Sequence, residues 1–190
     1  MACENNCFEY GCTCAIIFST TSNQLNINFY FEQEEQRVII KKNVNDVQAS
    51  HQNIHEKFEY HKKDLLGYDE AKLIKFSHYS IPPGKSNYPY HYHTQNEEVF
   101  YILSGNGIVK TPKGDISISE GDVIYFPSDE TGAHKLTNTS DSEMLVYLDV
   151  DTKIRPDVCI YPETNKIGIY GDKIRQIHKM DKGIDYYEGE

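Results

Sequence analysis

Three histidines and a choice of two glutamates carry the chemistry in this sequence. His91 and His93 stand two apart in Tyr88-Pro89-Tyr90-His91-Tyr92-His93, Glu97 and Glu98 follow, and His134 comes after Gly132-Ala133. On a strand, residues two apart share a face, so His91 and His93 point one way and Tyr90 and Tyr92 the other. Two imidazoles on one face make half of a metal site. His134 belongs to a later strand with Leu136 and Asn138 on the same face, and in a closed barrel that strand can lie opposite the first pair. The carboxylate comes from Glu97 or Glu98. Glu98 shares a face with Phe100 and Ile102, and Glu97 with Val99 and Tyr101; both faces are apolar, so alternation does not choose between them. Three imidazoles and one carboxylate suit one divalent transition metal ion such as Fe, Mn, Ni, Cu or Zn. Coordination positions left open would serve metal-bound water, carbonyl polarisation, O2 chemistry or plain ligand binding.

The elements that must position these groups are short strands. Lys72 to Ile81 reads as a strand stopped by Pro82-Pro83-Gly84. Val99–Leu103, Gly107–Thr111, Ile116–Ser119, Val123–Phe126, His134–Asn138 and Met144–Val150 follow at close spacing. Pro112-Lys113-Gly114-Asp115 and Asn138-Thr139-Ser140-Asp141 supply turns between them. Evenly spaced strands of this kind predict an all-β antiparallel sandwich or barrel. Cys159–Tyr161 and Ile167–Tyr170 read as further edge strands.

The remaining chain frames that domain. Residues 1–36 read as an N-terminal arm with a short strand at Asn26–Phe31, residues 37–170 as the barrel domain, and residues 171–190 as a polar tail. Asp46 to Phe58 reads as a helix, on which His51 and His55 stand one turn apart with His61 nearby. No third ligand is specified there, so a solvated helix face is the simpler expectation. Cys3, Cys7, Cys12 and Cys14 crowd the start and Cys159 stands alone; the early spacing matches no standard zinc pattern, and a reducible tail is expected.

At 190 residues the chain is long enough to bury a core without disulfides. Its formal net charge of -10 repels phosphate backbones and anionic lipid, so neither nucleic acid nor membrane is an expected partner. No apolar run reaches the length of a membrane span and no basic leader precedes Cys14–Phe18, so a cytoplasmic location is the default expectation. There is no Trp but there are 15 Tyr, which suits a wet pocket.

The two blocks resemble the two signature motifs of the cupin superfamily, and the chain is most similar to its small single-domain members. The first motif is usually written G-x5-H-x-H-x3,4-E-x6-G, and here it runs Gly84-x6-His91-x-His93-x4-Glu98-x6-Gly105. The spacing to Gly105 selects Glu98. The second is usually G-x5-P-x-G-x2-H-x3-N, and here it runs Gly121-x5-Pro127-x4-Gly132-x-His134-x3-Asn138. The segment between Pro127 and His134 is two residues longer than the pattern, which enlarges the loop and brings Asp129 and Glu130 toward the cavity mouth. The match covers about residues 72–150. The resemblance implies a double-stranded β-helix, or jelly-roll barrel, holding one divalent metal on His91, His93, Glu98 and His134. It also implies a homodimer acting on a small-molecule ligand or substrate. As an enzyme, dioxygenase, isomerase or decarboxylase chemistry is implied, with Glu97 and Glu130 as spare acid–base groups. The alternative is a non-catalytic module that binds a sugar or other small metabolite. Asn138 reads as a turn or supporting residue rather than a ligand, and Tyr88, Tyr90 and Tyr92 as outward- or dimer-facing rather than catalytic.

Overall fold

A computed structural model describes residues 14–21, 24–31, 38–181 and 183–190. Two compact units divide the chain, residues 1–41 and residues 42–190. In the first, strand β1 (Cys14–Thr21) pairs with β2 (Gln24–Phe31) as an antiparallel hairpin. Of the expected N-terminal cysteine tail, Cys3, Cys7 and Cys12 lie outside the described residues, and Cys14 opens β1.

The second unit is built from β3 (Ser50–His55), β4 (Phe58–Leu66), β5 (Ile74–Ile81), β6 (Tyr92–His93), β7 (Glu98–Ser104), β8 (Asn106–Thr111), β9 (Gly114–Ser119), β10 (Val123–Phe126), β11 (Lys135–Asn138), β12 (Leu145–Thr152), β13 (Asp157–Tyr161), β14 (Lys166–Tyr170) and β15 (Arg175–Lys179). No α-helix occurs among the described residues. Strands β10-β7-β12-β5-β4-β3 form one sheet in that order, β11-β8-β9 a second, and β15-β14-β13-β6 a third. All the pairings between these strands are antiparallel, as in a jelly-roll barrel.

Alternation decides what the barrel encloses. On β12, Leu145, Tyr147, Asp149 and Asp151 are buried while their neighbours are half-exposed. On β5, Ser77, Tyr79 and Ile81 turn inward in the same way. Ile81, Ile102, Leu136, Leu145 and Tyr147 are wholly buried and form the core with Phe100 and Phe126. Each such side chain contributes roughly 1.5–3 kcal/mol by leaving water. Toward one end of β12 the inward face turns acidic, and the core there becomes a polar cavity.

Corners fix the strands. Gly105 sits at φ 87° between β7 and β8, and a Cβ there would lie 2.4 Å from the Met144 carbonyl oxygen. Only glycine meets both conditions. Asn138, at the end of β11, has no exposure. Its Nδ2 donates to the carbonyls of Ile81 and Glu143, each at 2.8 Å, and its Oδ1 accepts from Ser140 N at 2.9 Å. One side chain thus ties β5, β11 and the turn before β12.

The helix expected over Asp46–Phe58 is not formed. A single 3-10 turn covers Val44–Asp46, and β3 and β4 follow as a hairpin. Tyr60 of β4 packs on the core, and Glu59 N donates to Ser86 O at 3.1 Å. Tertiary pairing overrides a polar sequence with no strong period of its own. Within residues 171–190, β15 pairs with β14.

Candidate metal centre

His91, His93, Glu98 and His134 come from three elements that meet at one end of the barrel. His91 precedes β6 and His134 precedes β11, and the two are joined as a backbone bridge: His91 N donates to His134 O at 3.0 Å, and His134 N to His91 O at 2.8 Å. Their ring centroids are therefore only 4.9 Å apart. His93 pairs with Cys159 of β13, and Glu98 opens β7 opposite Asp151 of β12. His91, Glu98 and His134 bring donor atoms within 4.8 Å of one another, and His93 Nε2 lies 3.6 Å from Glu98 Oε1.

The imidazoles are held in one tautomeric sense. His91 Nδ1 faces the Pro89 carbonyl at 2.9 Å, and His134 Nδ1 faces the Gly132 carbonyl at 2.9 Å. A carbonyl only accepts, so each Nδ1 donates and each Nε2 keeps a bare lone pair. His93 Nδ1 donates to Asp157 Oδ2 at 2.5 Å, which leaves its Nε2 turned to Glu98. Glu98 Oε2 lies 3.2 Å from His134 Nε2, yet it is fully buried with no hydrogen-bond partner. Two such acceptors are stable together in a buried site only with a proton or a metal ion between them.

Electrostatics follow from burial. Burial, reinforced by the neighbouring imidazoles, keeps His91 well below its ordinary pKa, and burial takes His134 down to about 4. Burial also disfavours charge on His93, but its bond to Asp157 and the adjacent Cys159 carry it up to about 9. Burial and the nearby Asp151 push Glu98 and Asp149 well above the usual carboxylate range. Asp151 is buried too, but Lys75 Nζ at 2.5 Å holds it below that range. The centre thus adjoins a three-carboxylate cluster with one ammonium.

A cavity of about 380 Å³ opens on this centre, lined among others by Lys75, Tyr88, His91, Glu98, Asp149 and Arg155. Of the two glutamates, Glu98 faces in. Glu97 faces out and accepts from Tyr125 Oη at 3.0 Å, so it is not a spare acid for the cavity. Glu130 is exposed and does not line the cavity. Tyr92 points away from the centre with Asp129 and Glu130 in a separate groove, and Tyr90 lies under Lys110. Tyr88 departs from the outward expectation: its ring is 6.3 Å from that of His91. Tyr88 lies before Pro89, outside the Tyr90–His93 alternation on which that expectation rests.

The enlarged loop is taken up locally. Glu130–Gly132 forms a 3-10 turn capped by Asp129, whose Oδ1 accepts from Thr131 N at 2.8 Å. Gly132 is buried, and a Cβ there would lie 2.0 Å from the Pro127 carbonyl oxygen.

Four groups escape the motif. Asp149 and Asp151 have a visible signal, since they continue the inward period of Leu145 and Tyr147. Asp157 and Cys159 have none, because they reach His93 only through the β6–β13 register. The Cys159 Sγ lies 3.2 Å from His93 Nδ1.

Residues 77–151 match the family model for the cupin domain. Over 81 residues the chain is 32% identical to an oxalate-binding protein of Thermotoga maritima, a match spanning 43% of this chain and 64% of that protein. A predicted oxalate decarboxylase from Thermotoga maritima superposes with a TM-score of 0.52 at 25% identity, covering 60% of this chain and all of that one. A sugar phosphate isomerase of the cupin superfamily from Silicibacter pomeroyi superposes with a TM-score of 0.67, covering 75% of this chain and 94% of the other. At 15% identity that likeness shows the fold alone.

Proposed function

The chain carries a cupin domain, and on that premise we propose that it is a metal-dependent protein acting on a small anionic metabolite inside the barrel. His91, His93, Glu98 and His134 hold one divalent transition ion. The observation that carries this is the convergence of the three imidazoles on buried Glu98: His93 Nε2 lies 3.6 Å from its Oε1, His134 Nε2 3.2 Å from its Oε2, and His91 offers a donor atom within 4.8 Å. Such an ion, when bound, supplies Lewis acidity toward a ligand oxygen and several kcal/mol of charge stabilisation.

The chain's own groups do the rest. The Pro89 and Gly132 carbonyls and Asp157 fix the ring orientations. Lys75, paired with Asp151, and Arg155, paired with Asp172, bring positive charge to the cavity wall where an anionic ligand would sit. Burial and Asp151 oppose charge on Asp149, whereas Lys75 favours charge on Asp151, so the surroundings push their affinities for a proton apart. A pair split in this way can donate a proton at one oxygen and accept one at another. Isomerase or decarboxylase chemistry, which moves protons, fits this wall, and dioxygenase chemistry needs only the metal positions. The second reading is a non-catalytic binding module, favoured by the oxalate-binding relative.

Elemental mass spectrometry of the purified protein beside His134→Ala tests the centre. One equivalent of metal that the variant lacks supports it; protein that takes up no metal overturns it. Turnover of small hydroxy- or keto-acids or sugar phosphates by loaded protein, lost in Asp149→Asn, separates the enzyme from the binder. A homodimer is part of the same proposal. Val123 sits opposite Tyr101 on adjacent strands, and with Tyr125 they stay 67, 43 and 55% exposed on the outer sheet face. A monomeric mass in solution would end it.

A further inference from the structure

We propose a second metal site, outside the barrel, in which His51, Glu59 and His61 of the β3–β4 hairpin take one divalent transition ion of the Zn²⁺ or Cu²⁺ class. His51 and His61 are direct partners across the hairpin, so their side chains leave the same face side by side. Glu59 lies two residues before His61 on β4 and shares that face. The two rings stack with centroids 4.2 Å apart at 12°. Glu59 Oε1 is 3.1 Å from His51 Nε2, and all three residues offer donor atoms within 4.8 Å of one another. Two nitrogens and one oxygen are the donor types that zinc and copper take, and three protein ligands leave a position for water.

The surroundings permit binding. The rings must fan open to share an ion, and the His51 side chain, 47% exposed on an edge strand, has room to turn. The two neighbouring lysines do not compete. Lys62 faces inward over Tyr79, and Lys63 donates to Val44 O at 2.8 Å. His55 does not join. Four residues of strand span about 13 Å, and its Nδ1 accepts from Lys57 N at 3.2 Å. An ion here would staple β3 to the sheet. Among the described residues that strand pairs only with β4, through a register that shifts between Gln52 and His55.

The test uses the full chain, stripped with EDTA and titrated with Zn²⁺ against a chromophoric chelator. Wild type is compared with His51→Ala, His61→Ala, Glu59→Gln and His134→Ala. The cysteines at 3, 7, 12 and 14 are common to all, so differences between proteins are read rather than totals. His51→Ala and His61→Ala should each bind one equivalent fewer than wild type, and Glu59→Gln should weaken that equivalent. His134→Ala keeps it, so failure of the barrel centre and failure of the hairpin site are told apart. In the His134→Ala background, Zn²⁺ should raise the melting temperature, and adding His51→Ala should remove the rise. The proposal is overturned if His51→Ala and His61→Ala match wild type in number and affinity of bound ions.

Discussion

Replacing Asn138 by alanine should destabilise the metal-free barrel without emptying the centre. Three hydrogen bonds disappear: two donated to the Ile81 and Glu143 carbonyls and one accepted from Ser140 N. Each contributes roughly 1 kcal/mol net, and a buried group left unpaired costs about 1–3 kcal/mol. Glu143 and Ser140 lie at a turn where water can replace the lost partner, whereas Ile81 is wholly buried. The sum is about 3 kcal/mol, or a melting point lower by roughly 6–12 °C for a chain of this size. Asn138→Asp should be worse still, because it turns a carboxylate on two carbonyl oxygens. Urea denaturation in EDTA measures the first effect, and metal content measures the second. A change below about 1 kcal/mol, or lost metal with unchanged stability, would refute the role of Asn138 as a clamp and make it a ligand.

Asp157→Asn should weaken metal binding about tenfold and Asp157→Ala up to about a hundredfold, since His93 loses its charged acceptor; unchanged affinity in a chelator competition would contradict this. Glu98→Gln should abolish tight binding yet leave the metal-free melting point unchanged or higher, because burial and the nearby Asp151 already oppose charge on that carboxyl. Scanning fluorimetry in EDTA reads that directly. Lys75→Met strands Asp151 in the acidic cluster and should cost about 3 kcal/mol, the lower end for a broken buried pair, because a quarter of the Lys75 side chain remains exposed. Equilibrium urea unfolding checks the value. EDTA treatment of protein purified with its metal should lower the melting temperature, and readdition of the ion should restore it.

The strands from Ile74 to Thr152 were legible because one face of each had to be apolar, and Gly105 and Asn138 mark corners that few other residues tolerate. The choice between Glu97 and Glu98 was not, because the outer face, with Val99 and Tyr101, is apolar as well; only motif spacing made it. The hairpin at 50–66 defeated local reasoning for the opposite reason. Its outward residues are polar, and inward Phe58 and Tyr60 are followed at the strand period by Lys62 and Asp64, so the alternation fades after two residues. Helical spacing therefore pairs His51 with His55, four along the chain, whereas its neighbour in the fold is His61 across the turn. Asp157 and Cys159 are a lesson of the same kind. Nothing within ten residues of them announces that they will meet His93, since that contact is decided by the pairing of distant strands.

The contact between Gly132 and Pro127 has a consequence for how this barrel can be altered. The two extra residues after Pro127 are absorbed by a self-contained turn. It closes through Gly132 N to Asp129 O at 3.0 Å and Ala133 N to Glu130 O at 3.3 Å. His134 is anchored downstream of that closure, by its bridge to His91. Chain length between Ser128 and Thr131 is thus decoupled from where the imidazole ends up. Loops of different length and chemistry could be grafted there, remodelling the rim around Tyr92 while position 132 stays glycine and the donor atoms keep their places.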